Sequence, residues 1–109
     1  MENCVVRNLT TDGIRFLSSA SSNLAVSNTL TADNGGNGII IGLEGGSGVT
    51  VKAVLSRVEA YNNSHFGIIL FGNSAGQTVN ATVADSVAAG NNLAGFGMGP
   101  INNPQLPPW

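Results

Sequence analysis

Short apolar runs return along this chain at nearly regular intervals, and a glycine opens each of them. The four runs begin at Gly13, Gly38, Gly67 and Gly95, which lie 25, 29 and 28 residues apart. A period between about 20 and 50 residues is typical of stacked-repeat architectures, in which each repeat buries its apolar side against the next. The pattern therefore predicts a solenoid.

Each repeat contains three short strand-like segments separated by turn-forming residues. The glycine run supplies one segment, and alternating runs such as Val79–Val83 supply another. The remaining segment is marked by an apolar residue eight or nine positions before the glycine: Val5, Leu30, Val58 and Val87. Three strands in a period near 27 predict one rung of a parallel β-solenoid, with rungs about 4.8 Å apart.

Alternation along the glycine runs assigns their side chains to two sides of the predicted strands. The inward set is Ile14, Phe16, Ile39, Ile41, Ile68, Leu70, Phe96 and Met98. The outward set is Arg15, Ile40, Ile69 and Gly97. Ile40 and Ile69 take the same place on adjacent rungs and are predicted to form a small apolar stripe. Cover by a loop, by the tail or by a neighbouring subunit is the favoured interpretation, and a contact site for a glycan or a protein partner is the alternative.

Asparagines precede every glycine run by three to five residues, at Asn8, Asn34, Asn62–Asn63 and Asn91–Asn92. Asparagine tolerates the left-handed backbone of a tight corner. Stacked in register, its side-chain amides can also hydrogen-bond from one rung to the next. The glycines are expected to provide a positive φ or to avoid a clash with a Cβ atom.

The asparagine corners and glycine runs resemble the right-handed parallel β-helix repeat proteins of the pectin-lyase-like superfamily, in particular its uncharacterised bacterial members. The resemblance covers roughly residues 3–98. It implies an all-β, right-handed parallel β-helix of about four rungs. A leucine-rich repeat would need a Leu-x-x-Leu-x-Leu consensus, which is missing. A β-sandwich would not repeat the asparagine-to-glycine pattern four times.

The sequence divides into β-helix repeats over residues 1–98 and a tail over residues 99–109. The tail holds four prolines, which remove ladder donors, and is expected to be extended or disordered. No secretory leader is evident before Cys4, and Val5 is expected to be interior with no cap before it. We therefore expect a fragment of a longer solenoid, whose open ends favour self-association.

Charge and hydropathy exclude several classes of partner. The chain has six acidic and four basic residues and a net charge of −2, so it offers no basic field for nucleic acid. No run approaches the ~20 apolar residues of a membrane span. Localisation is not determined by the sequence; the resemblance implies an exported or cell-surface protein.

Several motifs match chemical signatures only in part. Residues 72–76 fit the GxSxG letters, but the single histidine, His65, precedes them and no strand-to-helix turn is expected. Residues 34–41 are similar to a calcium-binding nonapeptide whose aspartate position holds Ile40. His65 is expected to be a surface turn residue, and Cys4 a small filler that aligns with Ser86. No cofactor or metal is predicted.

The acidic residues are scattered singly, whereas the lyases and hydrolases of the resembling family carry clustered acids. Beyond Glu2, they are Asp12, Asp33, Glu44, Glu59 and Asp85. No catalytic residue is assigned. The sequence leaves open whether the protein is an enzyme, but it favours a protein without catalytic activity. The sequence favours a non-catalytic scaffold segment of a bacterial exported or surface protein that contacts polysaccharide or a protein partner. The alternative is part of a polysaccharide lyase or hydrolase whose catalytic rungs lie outside this chain.

Overall fold

The computed structural model describes residues 1–43, 49–72 and 78–98. Over these ranges the chain is all-β, with nine strands and no helix; hence no helix long and apolar enough to cross a membrane is found there. The strands are β1 (Val5–Arg7), β2 (Ile14–Ser18), β3 (Ser22–Ala32), β4 (Ile39–Leu43), β5 (Thr50–Tyr61), β6 (Phe66–Phe71), β7 (Thr78–Ala84), β8 (Val87–Ala89) and β9 (Ala94–Met98).

Every strand pairing is parallel and joins one repeat to the next. One sheet has the order β2-β4-β6-β9, and the other has the order β1-β3-β5-β7 with β8 also paired to β5. Ile14 pairs with Ile39, Ile39 with Ile68, and Ile68 with Phe96. These partners are separated by the same intervals as the glycine runs. The parallel β-solenoid predicted from the repeat is therefore confirmed.

The solenoid has about three turns, one fewer than the four rungs expected. Four repeats enclose only three complete intervals. Among the described residues the fourth repeat contributes β8 and β9, and β7 pairs with β5 on one side only. The sequence expectation counted repeats, whereas a turn requires all three strands.

Two of the three strand segments of a repeat merge into one long strand that bends in the middle. The bend in β3 lies at Asn28 and that in β5 at Arg57, with φ of 49° and 52°. Asn3 and Asp85, with φ of 56° and 51°, occupy the same position in the first and last repeats. These four left-handed residues form a column that we call the elbow column.

A second corner follows five residues later and contains the asparagines. Asn8, Asp33, Asn62 and Gly90 are left-handed at this corner, with φ of 62°, 56°, 54° and 69°. The next residue in three of the repeats is asparagine, and together these form the asparagine column: Asn34, Asn63 and Asn91.

Hydrogen bonds join the asparagine column from turn to turn. Asn34 Nδ2 donates to Asn63 Oδ1 at 3.0 Å, and Asn63 Nδ2 donates to Asn91 Oδ1 at 2.9 Å. The backbone N of Asn34 and of Asn63 donates to the same oxygens at 3.2 Å and 2.9 Å. Below Asn34 the column position is Leu9, whose backbone N donates to Asn34 Oδ1 at 3.1 Å.

The glycines that open the runs are needed for close packing against this column. A Cβ at Gly38 would collide with the carbonyl oxygen of Gly67 and with Asn63 Nδ2, and one at Gly67 would collide with Asn91 Nδ2. Neither glycine has a positive φ. Of the two roles expected for these glycines, the avoidance of a Cβ clash is the one that applies here.

The core lies between the two sheets and draws its residues from both of them. It consists of Ile14, Val26, Ile39, Ile41, Leu43, Val51, Ala53, Leu55, Val58, Ala60, Ile68 and Leu70, with Phe16 packed against it. Six of the eight predicted inward residues of the glycine runs thus belong to the core or contact it. Phe96 and Met98 stack on Ile68 and Leu70 in register but are 45% and 55% exposed.

The prediction that Val5 is interior is wrong. Val5 pairs with Leu30, Leu30 with Glu59, and Glu59 with Val87. Val5 is 66% exposed and Val87 is 47% exposed, so this column faces outward. Val58, which the sequence placed in the same set, is fully buried one column earlier.

Candidate functional site

A broad concave feature of the described surface lies beside the elbow column. It is a groove of about 630 Å³ on the outside of the bend, and we call it the elbow groove. Its polar lining includes Asn28, Arg57, Glu59, Tyr61 and Asp85. Side chains from three successive turns therefore meet along one open depression.

The bend in β5 is what brings these side chains to the surface. After Arg57 the strand resumes its alternation, so that Val58 and Ala60 are fully buried. Glu59 and Tyr61 then point to the opposite side, as alternate residues of a strand must. The groove is thus a direct consequence of one left-handed residue followed by four residues of regular strand.

Arg57 is the unusual member of the elbow column. The left-handed region is unfavourable for residues with a Cβ, and asparagine and aspartate adopt it most readily among them. The other three elbow residues are of those two types, whereas Arg57 carries a long cationic side chain. Its Nε donates to Asn28 Oδ1 on the turn below at 2.6 Å. This bond holds the guanidinium along the groove.

Tyr61 and Glu59 form the second polar pair of the groove. Desolvation of the phenol, the nearby negative charge of Glu59 and a hydrogen bond between the two side chains all raise the pKa of Tyr61 above its ordinary value. The phenol therefore stays protonated and able to donate at neutral pH. With one cation and two carboxylates, the charged lining of the groove is mixed and slightly acidic.

Two other described acids, Asp12 and Asp33, are bonded elsewhere on the solenoid. Asp12 Oδ1 accepts from the backbone N and from Nδ2 of Asn37 at 2.8 Å and 3.0 Å, and its other oxygen lies 3.7 Å from Arg15. Asp33 pairs with Arg7 at 2.8 Å across the first two turns. Each of these two carboxylates serves a separate contact between turns or within a corner.

His65 and Cys4 occupy positions with local structural roles. His65 is exposed at a corner, where its backbone N donates to Gly36 O and its carbonyl accepts from Leu93 N. Cys4 is half-buried and its Sγ donates to Glu2 O at 3.2 Å. Cys4 shares its column with Ser86, as the sequence alignment of the repeats predicts.

The two motif matches give no further site among the described residues. Most of the GxSxG stretch and Glu44 lie outside them. In the nonapeptide-like stretch, Asn34 belongs to the asparagine column and Asn37 is bonded to Asp12. Within residues 1–43, 49–72 and 78–98 no group of three or more His, Cys, Asp or Glu side chains could hold a metal ion.

The predicted contact stripe lies on the outer side of the sheet formed by β2, β4, β6 and β9. Ile40 and Ile69 are register partners on neighbouring strands, as expected. Ile40 is only 9% exposed, and Ile69 is partly buried. The stripe therefore offers little open surface, and its role as a contact site stays a prediction.

Sequence reasoning missed the elbow groove because no motif marks it. The alternation in Val58-Glu59-Ala60-Tyr61 was a usable signal, since it places a carboxylate and an aromatic ring on one side of a strand. Arg57 gave no signal, because arginine is not a residue type that predicts a left-handed bend.

Comparison with known proteins gave no match to any family model, to any curated protein or to any solved structure.

Proposed function

We propose that this chain is a non-catalytic segment of a β-solenoid scaffold whose elbow groove contacts polysaccharide. The sequence resembles the right-handed parallel β-helix proteins. This resemblance supports a right-handed solenoid that belongs to an exported or cell-surface protein of a bacterium. The observation that carries the proposal is the groove itself. It is open, runs across three turns, and is lined by hydrogen-bonding side chains of both donor and acceptor types.

This lining suits a polyhydroxylated ligand. Sugar hydroxyls both donate and accept, and Arg57, Glu59 and Asn28 together provide both kinds of group. The ring of Tyr61 supplies an amphipathic surface with a polar tip. Two carboxylates against one guanidinium disfavour a polyanionic chain, so a neutral polysaccharide is the better fit.

The bonding of the acids supports a scaffold more than an enzyme. A glycoside hydrolase needs two carboxyl groups at a defined separation across the scissile bond, one acting as acid and the other as base or nucleophile. Asp12 and Asp33 are each tied to a separate partner, and Glu59 lies beside the phenol of Tyr61, where its charge helps to raise the pKa of Tyr61. The lyase or hydrolase alternative therefore depends on residues beyond those described.

Calorimetric titration with two soluble oligosaccharides of equal length, a neutral glucan fragment and an acidic uronate fragment, tests the proposal. We expect weak binding of the neutral probe and weaker or no binding of the acidic one. Tyr61→Ala and Glu59→Gln should abolish this binding. Lys52→Gln, an exposed change on β5 outside the groove, is the matched control and should leave it unchanged.

Two results would contradict the proposal. Equal binding by the Tyr61→Ala variant and the unaltered protein would place the contact elsewhere. Release of shorter sugars from either probe would show catalysis, and the enzymatic alternative would replace the scaffold.

A further inference from the structure

Arg57 is a residue of the elbow groove whose presence the fold itself does not explain. Its φ is 52°, in the left-handed region that is unfavourable for a residue with a Cβ. The equivalent positions of the other turns hold Asn3, Asn28 and Asp85, which are of the types that adopt this conformation most readily. Strained backbone positions cluster at binding and active sites. The bend therefore tolerates Arg57 without needing it.

A hydrogen bond between turns fixes the direction of the Arg57 guanidinium. Its Nε donates to Asn28 Oδ1 at 2.6 Å, and both residues line the groove. Arginine carries its N–H donors in a planar fork, so this bond leaves those of the terminal nitrogens. Neither of the two ion pairs formed within the described ranges includes Arg57. Among the described residues, the terminal nitrogens therefore remain available to a ligand in the groove.

We infer that Arg57 is the specificity-determining residue of the elbow groove and that its terminal nitrogens bind two hydroxyl oxygens on neighbouring carbons of a sugar ring. This inference rests on the proposed contact with a neutral polysaccharide and adds the chemical group that is recognised. A planar fork of parallel N–H groups matches two oxygens held side by side. The vicinal diol of a sugar ring holds its oxygens in that arrangement.

The acidic neighbours of Arg57 favour a diol over a carboxylate as the recognised group. Glu59 and Asp85 line the same groove, and like charges placed opposite each other oppose binding. A hydroxyl group both donates and accepts, whereas an ionised carboxylate only accepts. A sugar diol can therefore accept from Arg57 and donate to Glu59, and a ligand carboxylate cannot do both.

Two neutral glucan oligosaccharides of equal length differ in this group. Every internal ring of a cello-oligosaccharide has two free hydroxyls on neighbouring ring carbons. In a laminari-oligosaccharide the glycosidic linkage occupies the carbon between the two free ring hydroxyls, so the internal rings have no vicinal diol. In calorimetric titration we expect the cello-oligosaccharide to bind about tenfold more tightly or better, the effect of one additional hydrogen bond to a charged group.

Substitutions at Arg57 separate its role in binding from any role in stability. Arg57→Asn removes the fork and introduces a residue type that the left-handed bend favours. We therefore expect affinity for the cello-oligosaccharide to fall about tenfold or more, while the urea midpoint of unfolding rises. Arg57→Lys keeps the charge but cannot form two parallel bonds, so it should bind the two probes equally.

Lys52→Asn is the matched control for Arg57→Asn. It makes the same change of charge at an exposed residue of the same strand, and Lys52 does not have a positive φ. It should leave the affinity for both probes unchanged and should not raise the urea midpoint. Circular dichroism on all three variants shows whether the β-structure persists.

The possible results distinguish a failure of this inference from a failure of the proposed function. Binding of neither probe by the unaltered protein would overturn both. Equal or tighter binding of the laminari-oligosaccharide would overturn the inference alone and leave the groove as a polysaccharide contact. A lower urea midpoint for Arg57→Asn would also overturn the inference, because the contribution of Arg57 to the fold would then account for its presence.

Discussion

The two ends of the solenoid occupy equivalent positions in the repeat but differ in how their core residues are covered. Ile14 in the first turn and Phe96 in the last share one column, yet Ile14 is 9% exposed and Phe96 is 45% exposed. At the first turn the chain folds back on β3, where Met1 N donates to Ala25 O at 2.9 Å and Asn3 N donates to Ser27 O. Register therefore sets which way a side chain points, and the next layer decides whether it is buried.

The polar columns show the same asymmetry. In the middle of the stack Asn63 Oδ1 accepts two bonds from Asn34, and Asn91 Oδ1 accepts two from Asn63. At the first turn Leu9 takes the equivalent place and contributes only its backbone N. The two ends of the asparagine column thus differ. The first turn lacks a side-chain amide that could donate to Asn34 Oδ1, and Asn91 is the last asparagine of the column.

The largest effect is expected for Asn63→Ala. Asn63 is 1% exposed. Its loss removes the acceptor of the backbone N of Asn34 and of one Nδ2 hydrogen of Asn34, while Asn91 Oδ1 keeps only the backbone N of residue 63 as a donor. Each unsatisfied buried group costs about 1–3 kcal/mol, so we expect a loss of at least about 2 kcal/mol in the free energy of unfolding. Urea unfolding followed by circular dichroism measures it.

Two control substitutions test whether the loss of stability is specific to the buried part of the asparagine column. Asn91→Ala, at the half-exposed end of the column, should cost clearly less because water can replace the lost partner. Asn23→Ala, an exposed position on β3, should be close to neutral. Equal costs for Asn63→Ala and Asn23→Ala would show that the column does not stabilise the stack.

Leu9→Asn should reduce the difference between the ends of the asparagine column. In the turns above, each Oδ1 accepts both a backbone N and an Nδ2 from the turn below, whereas Asn34 Oδ1 accepts only from Leu9 N. The introduced amide would supply the second donor, and little apolar burial is lost because Leu9 is 46% exposed. A gain of about 0.5–1 kcal/mol in unfolding free energy is expected. A loss of stability would mean that Leu9 packs more tightly than its exposure indicates.

The register of the fold could be predicted from the sequence because strands alternate with a period of two and the repeat fixes their spacing. The same logic failed at Val5, which was expected inside the fold and is exposed. The left-handed residue of the elbow interrupts the alternation, so Val58 lies inside while Val87 lies outside. Asn28 is a residue type that indicates such a bend, but Arg57 is not. The elbow groove depends on that bend, so residue patterns could indicate only that Glu59 and Tyr61 share one side of a strand, and not the groove itself.

The smallest effect on stability is expected from the titration of Tyr61. This residue lies in the middle of the stack, and substitutions at either end should not change its pKa. Its pKa is raised, so the folded state holds the phenolic proton more tightly than the unfolded chain. The resulting stabilisation is complete below about pH 10, the unfolded value, and is lost as the pH rises through the higher folded value. Because the group is exposed, the loss should be slight.

The titration itself can be followed without ambiguity, since Tyr61 is the only tyrosine. Tyrosinate absorbance should show a midpoint above that of the unfolded protein, and Glu59→Gln should lower it because the negative charge is removed. Met98→Glu and Leu9→Asn should leave the midpoint unchanged, as both lie at the ends. A change in the titration midpoint of Tyr61 in either of these variants would show that the ends of the solenoid are coupled to the elbow groove. The ends and the groove would then have to be treated as one unit.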